Sequence, residues 1–220
     1  MRKLFQYDSP FINWVNRMGR IVILNLLWAI TSIPLLTIGA STAAMYRIAI
    51  SLAEKSEDLR IFRDYFTAFR TNLKQGTLVM LILLAPIALI VLNLLLLFSG
   101  RLGTSIFIYI VCFVPVPPVL FILAYVFAYI ALFEDKPMRT IINSAIISIA
   151  NLPKTILMVI LNLLPLILCL FATELFLRLL FVWLLFAFAL IAYLNSKLLL
   201  KAFRPYLNET KEEDTADAIE

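Results

Sequence analysis

Few residues of this 220-residue chain combine a type and a spacing that chemistry could use. Glu174 and Arg178 stand four apart, in the order that favours an ion pair on a helix. Between apolar runs such a pair serves either as a gate or proton site or, more simply, as an interfacial pair at a helix end. Asn25, Asn93 and Asn162 lie inside apolar runs, where an amide either holds a hydroxyl-rich ligand or ties two helices together. They fall at different depths counted from the ends of their runs, which favours tying over a single polar ring. Arg47 sits on a short apolar arm and must snorkel or find a partner. Arg60, Arg63, Arg70 and Lys74, set among aromatics, suit anionic lipid headgroups or a cytosolic partner. Histidine is absent, which removes the commonest general base and metal ligand. The sequence has no H-E-x-x-H, G-x-S-x-G, phosphate-binding loop or cysteine cluster, so neither an enzyme, a cofactor nor a metal is expected.

The elements that must position these residues are membrane helices. The chain is 63% hydrophobic and 15% charged with a mean hydropathy of +0.97, against about 25% charged for soluble domains. The expected fold is all-α, a polytopic helical membrane bundle with five or six membrane segments plus interfacial amphipathic helices. Residues 1–207 form one integral membrane domain, with segments near 21–38, 40–52, 76–98, 105–133, 154–172 and 175–196. Interfacial helices are expected near 9–18, 60–74 and 138–152, and the acidic tail 208–220 reads as disordered. The net charge of +5 sits in short segments between apolar runs, so it sets topology and implies the lipid bilayer rather than nucleic acid as partner. Cys112 and Cys169 fall in apolar runs and read as small hydrophobes. The amphipathic residues before the first apolar run, including Phe11, Ile12, Trp14 and Val15, do not look like a signal-peptide n-region.

The stretch from Arg60 to Phe98 organises the rest. Ile61, Phe62, Tyr65, Phe66, Phe69 and Leu73 recur at the helical period with the basic residues on the other faces, which describes a helix lying on a membrane surface. Thr77 to Phe98 then holds no charge and is long enough to span. Pro34 and Gly39 predict a break or tight turn between them, with Gly39 supplying positive φ. Pro115, Pro117 and Pro118 predict a kink or a non-helical start in the overlong run that follows. Glu134 to Pro137 is a helix-start signal, after which Ile141, Ile142, Ala145, Ile146 and Ile149 share a face. A weak internal repeat sets Asn72, Leu73, Leu78 and Pro86 against Asn151, Leu152, Leu157 and Pro165. Folding the first apolar region as a hairpin with both termini cytosolic leaves only Arg101 and Arg178 outside. A five-span form with the N-terminus outside satisfies the positive-inside rule less well.

The stretch N-x-x-W at Asn25 to Trp28, then SIPLLTIGASTAAMY at Ser32 to Tyr46 and FRDYFTAFRTNLKQ at Phe62 to Gln75, resembles the YesL family of bacterial integral membrane proteins of unknown function. The order of segments agrees over nearly the whole chain, and the specific motifs stop near Gln75. That resemblance implies the bacterial cytoplasmic membrane and an association with carbohydrate ABC importers, and it carries over no catalytic or ligand residue. The stretch after Glu134 to Pro137 lacks the Glu-Ala-Ala loop by which importer permeases engage their ATPase. The expected role is therefore that of an accessory or partner of a carbohydrate uptake system. The alternative is a small secondary transporter or channel with its site between the two broken segments. The sequence leaves the oligomeric state open.

Overall fold

The run Gly39-Ala40-Ser41-Thr42-Ala43-Ala44 carries almost no side-chain volume, and it marks the helix on which the others pack. In the absence of a hydrophobic drive between helices in lipid, small residues let backbones approach and gain van der Waals contact. The computed structural model describes residues 10–54, 59–99 and 106–217. It is helical with no strand among them. Helix α2 (Ile38–Ala53) buries eleven of its sixteen residues and packs against α1 (Pro10–Thr31), α3 (Ile61–Phe98), α5 (Val116–Leu132) and α10 (Phe188–Asp217). An unbroken buried run, Ala124–Ala131 of α5, completes the centre.

The contact between α2 and α3 is set by two glycines. A Cβ built on Gly39 would lie 2.2 Å from the carbonyl oxygen of Gly76, and one built on Gly76 would lie 2.7 Å from the amide nitrogen of Ala40. Both neighbours are backbone, so neither can swing aside. Gly39 is thus inside a helix and is needed for close approach, not for the positive φ expected of it. The tight turn falls between Pro34 and Gly39 as expected, a 3-10 turn at Leu35–Thr37 followed by α2 from Ile38, but the preceding helix already ends at Thr31, ahead of Pro34. Thr37 closes this turn by donating its hydroxyl to the carbonyls of Thr31 at 2.6 Å and Pro34 at 2.7 Å.

Several expected boundaries are corrected. The interfacial helix 9–18 and the start of segment 21–38 are a single helix, α1, because nothing between Met18 and Ile21 stops a helix. Ser9 itself lies outside the described residues. Likewise 60–74 and 76–98 are one 38-residue helix, α3, about 57 Å long. Its single face of Ile61, Phe62, Tyr65, Phe66, Phe69 and Leu73 divides, with Ile61 and Tyr65 buried and Phe62, Phe66 and Leu73 exposed. Run 105–133 divides at Val114 and Pro115 into α4 (Ile106–Phe113) and α5, the expected kink. Helix α6 (Pro137–Ala150) starts with proline in its first turn as predicted, but buries Thr140, Ser144, Ile147 and Ser148. Its apolar residues Ile142, Ile146 and Ile149 point outward. After α7 (Leu152–Phe171) come the short α8 (Thr173–Arg178) and α9 (Leu180–Val182), then a π-helical turn at Trp183–Ala187 that opens into α10. The α10 backbone stays helical to Asp217, through most of the tail expected to be disordered. Extending an existing helix needs no new nucleus, and Glu and Lys extend it well.

Among the described residues five helical stretches are long and apolar enough to cross a membrane. The one containing α2 is 61% buried, against 6% for that of α3 and 11% for that of α7, so α2 is the protein-facing helix and α3 and α7 form its outer wall. Gly39→Ala is expected to destabilise the bundle by about 3 kcal/mol through overpacking. Gly19→Ala, where nothing lies within 4 Å, should stabilise it by about 0.5–1 kcal/mol. Reversible unfolding of the two variants in mixed micelles checks both signs.

Candidate functional site

Arg47 lies on the one side of α2 that is not covered. Its Nη1 donates to the carbonyl of Ala131 at 2.9 Å, in the last turn of α5. The last carbonyls of a helix lack intrahelical donors and carry partial negative charge, so a guanidinium there satisfies both. This is the partner that Arg47 was expected to need. Nearby, Asp64 Oδ2 accepts the backbone N–H of Arg60 at 2.8 Å and caps the start of α3. Between these ends opens a cavity of about 480 Å³, whose polar lining includes Arg47, Ser51, Asp64, Thr67, Asn72 and Glu134. It therefore combines one cation with two carboxylates and several hydroxyl and amide groups. Among the described residues no three His, Cys, Asp or Glu side chains gather as a metal site.

The wall formed by Phe133 and Glu134 is held by a network that the sequence reading did not single out. Tyr129 donates its hydroxyl to Asp135 Oδ2 at 2.6 Å, and Asn143 Nδ2 donates to that hydroxyl at 2.8 Å and to Asp135 Oδ2 at 3.3 Å. Gln75 Nε2 donates to the Asp135 carbonyl at 2.8 Å and to Thr140 Oγ1 at 3.1 Å. Three helices are thereby tied to one four-residue connection. Only the helix-start signal at Glu134 to Pro137 pointed to this place, and it says nothing of Tyr129 or Gln75.

The asparagines divide by role. Asn25 is fully buried and serves the π-helical turn: its Nδ2 donates to the carbonyls of Leu184 at 2.7 Å and Trp183 at 3.3 Å, and its Oδ1 accepts the N–H of Ala189 at 2.8 Å. A π-turn displaces the ordinary backbone ladder, and one amide from α1 satisfies the groups at both its ends. Asn162 accepts from Asn195 Nδ2 at 2.7 Å, joining α7 to α10. Asn93 is half-buried on α3 and joins neither cluster. Tying helices, rather than forming a shared polar ring, is what Asn25 and Asn162 do. Glu174 and Arg178 form the expected pair at 3.7 Å, both largely exposed. Arg60, Arg63, Arg70 and Lys74 are all exposed along the first turns of α3.

The two proline-marked breaks border different neighbours. Pro117 and Pro118 face α6 across a groove with Ala145 and Ile149, whereas the Pro34 to Gly39 stretch leads into the glycine contact with α3.

A comparison with known families finds a match in the first part of the chain. Residues 21–94 match a family described as a protein of unknown function, DUF624. The DUF624 segment, about a third of the chain, contains Asn25, Gly39, Arg47, Tyr65 and Gly76 and thus the whole α2–α3 contact. No curated protein and no solved structure matches. Within the DUF624 segment, Asn25→Leu is expected to cost about 3 kcal/mol, because it leaves the turn's carbonyls and the Ala189 N–H buried without partners. Asn25→Asp, neutral in this fully buried position, keeps the acceptor and one O–H donor of the two the amide supplies, and should recover only part of that loss. Unfolding free energies of both variants in the same micelle test the order.

Proposed function

We propose that this chain is a YesL-type, multi-pass protein of the bacterial cytoplasmic membrane that acts without catalysis, as a laterally packed partner of a carbohydrate uptake system. The observation that carries this reading is the outer wall. From Leu84 to Phe98 no residue of α3 is buried, and α7 buries only Thr155 and Met158. Helix α6 adds the exposed row Met138, Ile142, Ile146 and Ile149. Such faces suit lipid and the helices of another membrane protein equally, and lateral packing needs no further polar group. The carbohydrate system itself rests on the family resemblance.

The charges support an orientation. Arg47 meets the C-terminal end of α5, Arg17 Nη1 donates to Tyr193 at 3.2 Å, and Lys154 Nζ donates to the Lys201 carbonyl at 3.3 Å. The exposed Arg60, Arg63, Arg70 and Lys74 alternate along the chain with Leu59, Asp64, Thr67 and Asn72, which line the Arg47 cavity, whereas Arg178 stands apart in α8. The positive-inside rule makes the basic end cytosolic, with α1 and α2 as a hairpin and both termini on that side. The basic residues of α3 then meet anionic headgroups. In a variant with both native cysteines replaced, Thr71→Cys should react with an impermeant maleimide only in inverted vesicles; reaction in intact cells would reverse the orientation.

Affinity purification of the tagged protein from its native membrane in mild detergent tests the role. Recovery of an importer permease or sugar-binding protein in near-equal amount is the expected result. Recovery of the chain alone, together with solute flux by the purified protein in liposomes, would replace this reading with the transporter.

A further inference from the structure

Asn162 is exposed within the uncharged run of α7 that follows Thr155, and it stands where exposure to lipid is least tolerable. It occupies the middle of the 20-residue α7, about 15 Å from either end. Hydrocarbon offers nothing to a free N–H at that depth. Asn162 lines a lateral groove of about 240 Å³ whose walls are Trp28, Tyr46, Phe127 and Phe188, with Thr42 beside them. No charged residue lines it. Trp28 and Phe188 stand with ring centroids 5.0 Å apart, and Trp28 Nε1 donates to Thr42 Oγ1 at 3.2 Å, which fixes that wall.

The hydrogen bonds behind the wall leave a specific polarity in the groove. Asn195, fully buried, gives its Nδ2 hydrogens to Asn162 Oδ1 at 2.7 Å and to the Tyr46 hydroxyl oxygen at 3.3 Å. The acceptor of Asn162 is thereby occupied, while among the described residues no hydrogen bond takes its own N–H groups or the hydroxyl hydrogen of Tyr46, and both residues line the groove. Asn195 Oδ1 meanwhile has no partner although it is buried. Asn195 is a positioning residue in this arrangement.

We propose that the groove binds a neutral, membrane-dissolved ring compound through a carbonyl oxygen, a quinone being the class that fits. The aromatic walls take a flat ring, the Asn162 N–H and the Tyr46 O–H would donate to its carbonyl oxygen, and the absence of charge excludes an ionised group. The ester carbonyls of phospholipids lie at the edges of the roughly 30 Å hydrocarbon core, so they do not reach this depth, whereas a dissolved quinone does.

The test uses the full chain in lipid nanodiscs with three probes of one ring size: 1,4-naphthoquinone, 1-naphthol and naphthalene, read by calorimetric titration. The expected result is saturable 1:1 binding of naphthoquinone, at least about tenfold tighter than naphthalene, the ratio a single hydrogen bond supplies. Asn162→Leu and Tyr46→Phe, which keep the groove's shape, should each weaken naphthoquinone about tenfold and leave naphthalene unchanged; each also removes an acceptor of Asn195 Nδ2 and lowers the melting temperature, so unchanged naphthalene affinity is the control for an intact groove. Equal affinity for naphthoquinone and naphthalene would overturn the proposal and leave a groove filled by acyl chains. So would tighter binding of naphthol, which would make the groove a hydroxyl site, or naphthoquinone binding unaltered in both variants.

Discussion

The contact between Gly39 and Gly76 is the constraint on which the remaining packing depends. With backbone against backbone, α2 is drawn onto the first half of α3, and Tyr65 is carried inward to meet Thr31 Oγ1 at 2.6 Å and the Ser41 carbonyl at 3.4 Å. That places three helices around one tyrosine and sets the level at which α2 ends. Arg47 then arrives at the last turn of α5, and the cavity of Arg47, Asp64 and Glu134 is the space left between those ends. A larger residue at either glycine would move all of this together.

Polar groups in this bundle are used in proportion to their depth. Most of those in the interior are consumed by other parts of the protein, Asn25 by the π-turn, Thr155 by Tyr125 and the Ser148 carbonyl, and Asn195 Nδ2 by Tyr46 and Asn162, whereas Ser32 Oγ, Trp183 Nε1 and Asn195 Oδ1 have no partner. Charged groups are kept out of the long apolar runs: on α3, Arg63, Arg70 and Lys74 all precede Thr77, after which the helix holds no charge. Thr140, Ser144 and Ser148 repeat at a spacing of four along the buried face of α6, the small-residue spacing that brings membrane helices together. Asn162, exposed in the middle of α7, and Asn93, half-buried on α3, depart from that pattern.

How much of this could be read from the sequence depends on which physical signal was available. Hydropathy and run length mark the membrane helices, and proline marks the breaks after Thr31 and at Pro115, because both signals are local. Periodicity found the correct apolar face of α6 but not its direction: in lipid the apolar face looks outward and Ser144 and Ser148 look in. For α3 the change from a basic amphipathic pattern to an apolar one described the surroundings of the helix, not an end of it, since Gly76 alone does not stop a helix. The partnership of Gly39 with Gly76, and that of Asn25 with a turn more than 150 residues away, are long-range pairings. Residue type showed only that such partners were needed.

The central claim is that α2 lies buried along the first half of α3, antiparallel to it, and the most direct measurement is site-specific cross-linking in native membranes. In a cysteine-free background, Ser51→Cys paired with Thr67→Cys, both on the same cavity, should join through a short bismaleimide. Ser51→Cys paired with Leu95→Cys, about 40 Å further along α3, should not. Efficient linkage of the second pair without the first would contradict the account, because α2 would then lie against the outer half of α3 and the glycine contact could not form.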